Sequence, residues 1–167
     1  MKLTLKTDYA LRTLIFLGSK PESLASIAEV AQFHRISENH LIKVVHELGR
    51  KGFIKTLRGK GGGISITEQA LQATIGDVVR AMEDDLALVA CFKPQAAQDA
   101  CELSCGCHLQ AILFQALTVF MSELDKYRVA DLLRPSLGKN TEHPIQLDAL
   151  LAYRAAFLSN ASTHSHL

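Results

Sequence analysis

Nowhere does the sequence approach the roughly 18 consecutive apolar residues that a membrane-spanning helix requires, although 48% of its 167 residues are apolar. A spanning helix is thereby excluded. The opening "MKLTLKTDYALRTLIFLGSK" sets two lysines ahead of apolar side chains as a signal peptide would, but Asp8 and Arg12 interrupt the run. The expected location is the cytoplasm, with no membrane partner. The apparatus of an enzyme is also missing: no nucleophile stands beside a base, and there is no phosphate loop or cofactor fingerprint. Cysteine is absent from residues 1–90 and 108–167, which excludes a framework of dispersed disulfides. In a reducing cytoplasm, thiols confined to one short segment point to metal or redox chemistry instead.

Net charge is nearly absent too, at +1, yet it is unevenly spread. Between His34 and Lys60 seven Lys/Arg face two Glu, a local excess of +5. Such an excess on an otherwise balanced chain predicts a surface that faces a polyanion.

Periodicity predicts which elements carry that charge. Thr7 is the expected cap of a first helix through "DYALRTLIFLGS", with Tyr9, Leu11, Leu14, Ile15 and Leu17 as its apolar face and Gly18 as its stop. Ser26 and Glu29 have capping-box spacing and open a second helix that turns Ile27, Val30 and Ala31 inward. Ser37 opens a third, with Leu41, Val44, Val45 and Leu48 at helical spacing and Gly52 as its end. The period then changes: "FIKTLRG" and "GISIT", joined by "KGGG", have the composition of a β-hairpin. Three helices followed by a hairpin is the order of a winged helix-turn-helix, in which the third helix enters the major groove of double-stranded DNA and the hairpin forms the wing. The basic excess falls on those two elements. Ser37, Asn39, His40 and Lys43 in the first turns of the third helix are the candidate base-facing residues. Arg58 and Lys60 on the wing are the candidate phosphate or minor-groove contacts.

Thr74 and Asp77 open a further helix, "IGDVVRAMED", after which comes "ACFKPQAAQDACELSCGCHLQ". Cys91, Cys101, Cys105 and Cys107 all lie in this stretch, among Pro94, Gln95, Gln98, Asp99, Glu102, Ser104 and Gly106. A polar loop so rich in thiols needs something for the sulfurs to hold, and both zinc and an iron-sulfur cluster meet that need. From His108 a long helix is expected to run towards Leu133. Its seam of Leu109, Leu113, Ala116, Phe120, Leu124 and Tyr127 predicts a homodimer. A last amphipathic helix is expected over about residues 146–158, followed by a polar tail. The domain organisation read from these features is a DNA-binding domain over 1–83, a cysteine loop over 84–107, a dimerisation helix over 108–134 and a C-terminal segment over 135–167.

"TDYALRTLIFL", "ISENHLIKVVHELGRKGFIKTLRGKGGGI", "IGDVVRAME" and "LALVAC" resemble the NsrR-type nitric-oxide-sensing repressors, in order and spacing over residues 1–134. These belong to a winged-helix superfamily that also contains the iron-sulfur regulator IscR. The resemblance implies a mainly α fold with a hairpin wing and a long dimerisation helix. It implies a cluster, four-iron four-sulfur or alternatively two-iron two-sulfur, held by three cysteines. Cys91 matches the first and Cys107 the last. The five-residue gap before Cys107 selects Cys101 as the middle ligand, with Cys105 as the alternative, and the gap after Cys91 is longer than the family's. An aspartate matching Asp8 of the partner subunit supplies the fourth ligand. An acid in a helix's first turn is also favoured by the macrodipole alone. His108 does not stand where the IscR-type histidine does. The function so implied is a repressor that releases DNA when nitric oxide attacks its cluster. The alternatives are a cluster-biogenesis or redox regulator of the same fold, and a zinc-stabilised DNA-binding module.

Overall fold

The computed structural model describes residues 2–92 and 107–133. The chain divides into two units, Met1–Leu133 and Arg134–Leu167, and every described residue belongs to the first. The expected C-terminal helix and tail lie outside the described residues.

The elements run α1 (Leu5–Gly18), α2 (Ile27–His34), α3 (Glu38–Arg50), β1 (Ile54–Leu57), β2 (Gly63–Ile66), α4 (Glu68–Gln72), α5 (Ile75–Met82) and α6 (His108–Leu124). Two 3-10 turns, Ala90–Phe92 and Val129–Leu133, flank α6 in sequence. The three-helix head and the hairpin follow the winged helix-turn-helix order. The strands pair antiparallel from Ile54↔Ile66 to Leu57↔Gly63. A further antiparallel bridge joins Ile64 to Ala25 ahead of α2, with both amides donating, at 3.0 and 2.8 Å.

Side chains from every layer meet in one core. Leu14 and Leu17 of α1, Val30 of α2, Leu41 and Leu48 of α3, Ile64 of β2, and Val78, Val79 and Met82 of α5 are all buried. Each large apolar side chain so enclosed contributes roughly 1.5–3 kcal/mol relative to exposure. Local chemistry sets the helix starts. Ser26 accepts from the Glu29 amide at 3.1 Å. Thr74 and Asp77 form a complete capping box, each side chain accepting from the other's backbone N–H at 3.0 Å.

The structure departs from the sequence reading in several places. α1 is capped by Thr4 rather than Thr7. Thr7 is fully buried, and its hydroxyl donates to Glu83 instead. α1 does end at Gly18, as expected. A Cβ there would lie 2.5 Å from Leu133 Cδ1, so close packing is what glycine permits. The short helix α4, capped by Thr67, has no counterpart in the sequence reading. α6 ends at Leu124 instead of continuing to Leu133. Asp125, its C-cap, binds Arg80 of α5 in a two-pronged ion pair and accepts from the Thr74 hydroxyl. The chain then turns into the 3-10 segment, where the Val129 amide donates to Ala73 at 2.9 Å. The expected seam is divided as well. Leu113, Phe120, Leu124 and Tyr127 are half-buried on their own chain, while Leu109 and Ala116 are exposed.

Candidate nucleic-acid interface and metal centre

The turn between α2 and α3 needs a residue in the left-handed region, and Arg35 adopts it at φ 56°. The next residue, Ile36, is buried and pins the turn to the core. α3 then lies with Leu41, Val44, Val45 and Leu48 inward, which leaves Ser37, Asn39, His40 and Lys43 exposed together on the opposite side. Ser37 occupies the N-cap without using its side chain as a cap, unlike Thr4, Ser26, Thr67 and Thr74. Its hydroxyl and the first amides of α3 are therefore suited to accept and donate outward, a ready arrangement for phosphate oxygens.

The wing tip, residues 58–62, carries Arg58 and Lys60, both exposed. Gly59 and Gly61 have φ of +102° and +81°, conformations that cost other residues steric strain. At Gly62 a Cβ would overlap the carbonyl oxygen of Leu57, so the tip closes only with glycine there. The amide of Gly62 donates to Gly59 at 2.9 Å and completes the turn. Two guanidinium or ammonium groups thus stand on a narrow ribbon whose backbone can approach a groove closely.

Cys91 lies in the 3-10 turn after α5 and is exposed; Cys107 is the N-cap of α6 and is half-buried. Both are free thiols, and both line one open cavity of about 930 Å³. Phe92 and Phe114 meet edge to face at 6.2 Å between centroids on its wall, and Leu117 adds apolar surface. The positive end of α6 points at the same place and suits a negatively charged thiolate centre. Cys101 and Cys105 lie outside the described residues. Among the described residues no three His, Cys, Asp or Glu side chains converge as a metal site. The two thiols fit an iron-sulfur centre by donor chemistry, and alone they do not complete one.

His108 lines the cavity beside Cys107, an imidazole that sequence spacing set aside. Asp8 does not line it. On α1, the Asp8 carboxylate is held by Arg12 through Nε at 3.0 Å and Nη2 at 2.9 Å. The side chain of Asp8 is 40% exposed, open to a second molecule. His34 escaped sequence reading altogether. Its ring packs against Phe16 and Phe33, its Nε2 is buried without a hydrogen-bond partner, and burial lowers its pKa, with the Arg12 charge acting in the same direction.

The sequence model of Rrf2, described as "Iron-dependent Transcriptional regulator", matches residues 3–135. The chain is 44% identical over 135 residues to the HTH-type transcriptional regulator NsrR of Bacillus subtilis (strain 168), covering 80% of this chain and 91% of that protein. In three dimensions it resembles the global cysteine regulator CymR of B. subtilis, with a TM-score of 0.60, 23% identity and coverage of 80% of this chain and 96% of that one. It also resembles IscR of T. potens, with a TM-score of 0.63, 20% identity and coverage of 80% and 86%.

Proposed function

The chain belongs to the Rrf2 family of iron-dependent transcriptional regulators, and from that premise we propose that it is a homodimeric, cytoplasmic repressor whose iron-sulfur cluster reports nitric oxide. The observation that carries the reading is the shared cavity of Cys91 and Cys107, on the same chain as an exposed reading helix and a basic wing. Cys91 and Cys107 would hold the cluster, with Cys101 or Cys105 between them and Asp8 of the partner subunit as the fourth ligand. A carboxylate is a hard donor on iron otherwise held by soft thiolates, which makes it the weakest of the four bonds. The cluster, four-iron four-sulfur or two-iron two-sulfur, supplies the site at which nitric oxide reacts. Ser37, Asn39, His40 and Lys43 read bases, and Arg58 and Lys60 hold the backbone or minor groove.

Dimerisation uses the outer face of α6. Leu109, Ile112 and Val119 are each 62% exposed. With Ala116 they recur at steps of three and four, the spacing of a helix-helix seam. A ligand contributed across that seam ties cluster state to the relative orientation of the two reading heads, and half-site spacing is what a dimeric reader must match.

Anaerobic purification followed by iron and sulfide analysis tests the cofactor, and serine at each cysteine tests its ligands. Cys91→Ser and Cys107→Ser should lose most of the cluster. Cys101→Ser should lose it and Cys105→Ser keep it, and the reverse would make Cys105 the middle ligand. Asp8→Ala should assemble a more labile cluster. Operator binding by fluorescence anisotropy should be at least about tenfold tighter with the cluster than without it, or 1.4 kcal/mol, and nitric oxide should remove the difference. Colourless protein containing zinc would favour the zinc-stabilised module.

A further inference from the structure

The cysteine loop leaves α5 at Glu83, and that residue is already engaged with another helix. One oxygen of the Glu83 carboxylate accepts from the Thr4 amide at 2.8 Å, the Thr4 hydroxyl at 3.0 Å and the Thr7 hydroxyl at 2.5 Å. The first turn of α1 is thus tied to the root of the loop. Thr7 is fully buried, and a buried hydroxyl needs a partner, so this contact is not a casual one. Lys6 projects from the same turn. Its ammonium donates to Asp84 at 3.0 Å and pairs with Glu47 of α3 at 3.7 Å.

We propose that Lys6 is a positioning residue that transmits the placement of the loop root to the DNA-reading helix, by holding Asp84 and Glu47 at once. The inference rests on the reading of the cysteine loop as the regulatory site. The two ends of the link are unequal. The side chains of Lys6 and Glu47 are 26% and 25% exposed, whereas that of Asp84 is 91% exposed. Screening by water and salt weakens the outer contact more than the inner one. A shift of the loop root therefore releases Asp84 first and leaves Lys6 paired with Glu47 alone. Glu47 lies one helical turn beyond Lys43, on the same side of α3. Lys6, Lys43 and Glu47 also line a cavity of about 250 Å³ between α1 and α3, so their side chains have room to change partners without disturbing the core. Burial works against the charge of Lys6, but the hydrogen bond to Asp84 and the nearby carboxylates outweigh it and raise its pKa. The ammonium is the form present at neutral pH.

The test uses the full chain and two measurements. Hydrogen exchange of the α3 amides in cluster-free protein reads the mechanical link. Lys6→Met and Asp84→Asn should each speed exchange in the turns of α3 from Lys43 to Glu47 about threefold, the scale of a partly exposed ion pair. The double variant should add nothing further, and Lys6→Arg should behave as wild type. The ratio of operator Kd without and with the cluster reads the transmission, and Lys6→Met should reduce it about threefold while Lys6→Arg restores it. Unchanged α3 exchange in both Lys6→Met and Asp84→Asn overturns the link. An altered exchange rate with an undiminished Kd ratio in Lys6→Met overturns the transmission. Should wild type itself show no Kd ratio, the cluster switch fails as a reading, and the exchange data alone still decide whether Lys6 joins the loop root to α3.

Discussion

Helices α1 and α6 are of similar length, 14 and 17 residues, yet they satisfy their apolar surface in different ways. α1 buries Ala10, Leu14, Phe16 and Leu17 on its own chain and ties its buried threonines to neighbours. α6 buries only Met121, and Leu109, Ile112, Phe114 and Val119 are each more than 60% exposed. Exposed residues of this size are ordinary singly, but three of these fall on one helical seam. The helix that holds the reading head together is complete within one chain. The helix next to the cysteines leaves its apolar stripe exposed, as the proposed dimer requires.

The sharpest way to break that contrast is to damage α1. Leu14→Ala should lower unfolding free energy by about 2–5 kcal/mol in a urea titration, because a fully buried leucine leaves a cavity. Ile112→Glu, on the outer stripe of α6, should leave the monomer's helical circular dichroism intact. It should convert the sedimenting species to monomer and weaken operator binding by roughly a hundredfold, as two linked half-site contacts become independent. Thermal unfolding that drops as far in Ile112→Glu as in Leu14→Ala would show that the stripe packs within one chain after all.

The next comparison sets the wing against the reading helix. Arg58→Ala or Lys60→Ala should weaken binding to all sequences and lower the salt slope by about one. Asn39→Ala should relax sequence preference while leaving that slope in place. Titration across a salt series on specific and scrambled DNA separates the two.

The smallest effect belongs to the clamp at the end of α6. Hydrogen bonding to Arg80, followed by the charge of Arg80 and the Thr74 hydroxyl, holds the Asp125 carboxyl below its usual pKa. A depressed carboxylate stabilises the fold fully above the unfolded value of about 3.9, and the contribution disappears as pH falls from there through the folded value. Arg80 and Asp125 are 44% and 37% exposed, so water reduces the pair to under about 1 kcal/mol. Asp125→Asn should lose that amount at pH 7, and its stability should fall less than wild type's between pH 5 and 3.

Features that depend on close neighbours along the chain are legible in the amino-acid sequence itself. The caps at Ser26 and Thr74, the inward face of α3 and the hairpin follow from spacings of a few residues. Thr4 and Thr7 cannot be told apart as caps in this way, because Glu83 decides between them from 76 residues beyond Thr7. The end of α6 is similar: nothing in "SELDKY" stops a helix, and Arg80, 45 residues earlier, takes hold of Asp125. At the candidate metal site, the loop composition singles out the thiols. That Cys91 and Cys107 share a cavity, and that His108 joins them, depends on how the chain returns from the loop into α6.

The bridge between Ala25 and Ile64 has a consequence for the DNA rather than for the protein. It fastens the base of the wing to the segment that enters α2, which ties the wing to the helical head that carries the reading helix. A reader of that kind cannot absorb a change in operator length by bending its wing. One added base pair between half-sites displaces the second by about 3.4 Å and rotates it by roughly 35° about the helix axis. In the dimer proposed above, the misfit would fall on the contact between subunits or on the stiffness of the intervening DNA. Operators for such a molecule should tolerate a substituted base more readily than an inserted one.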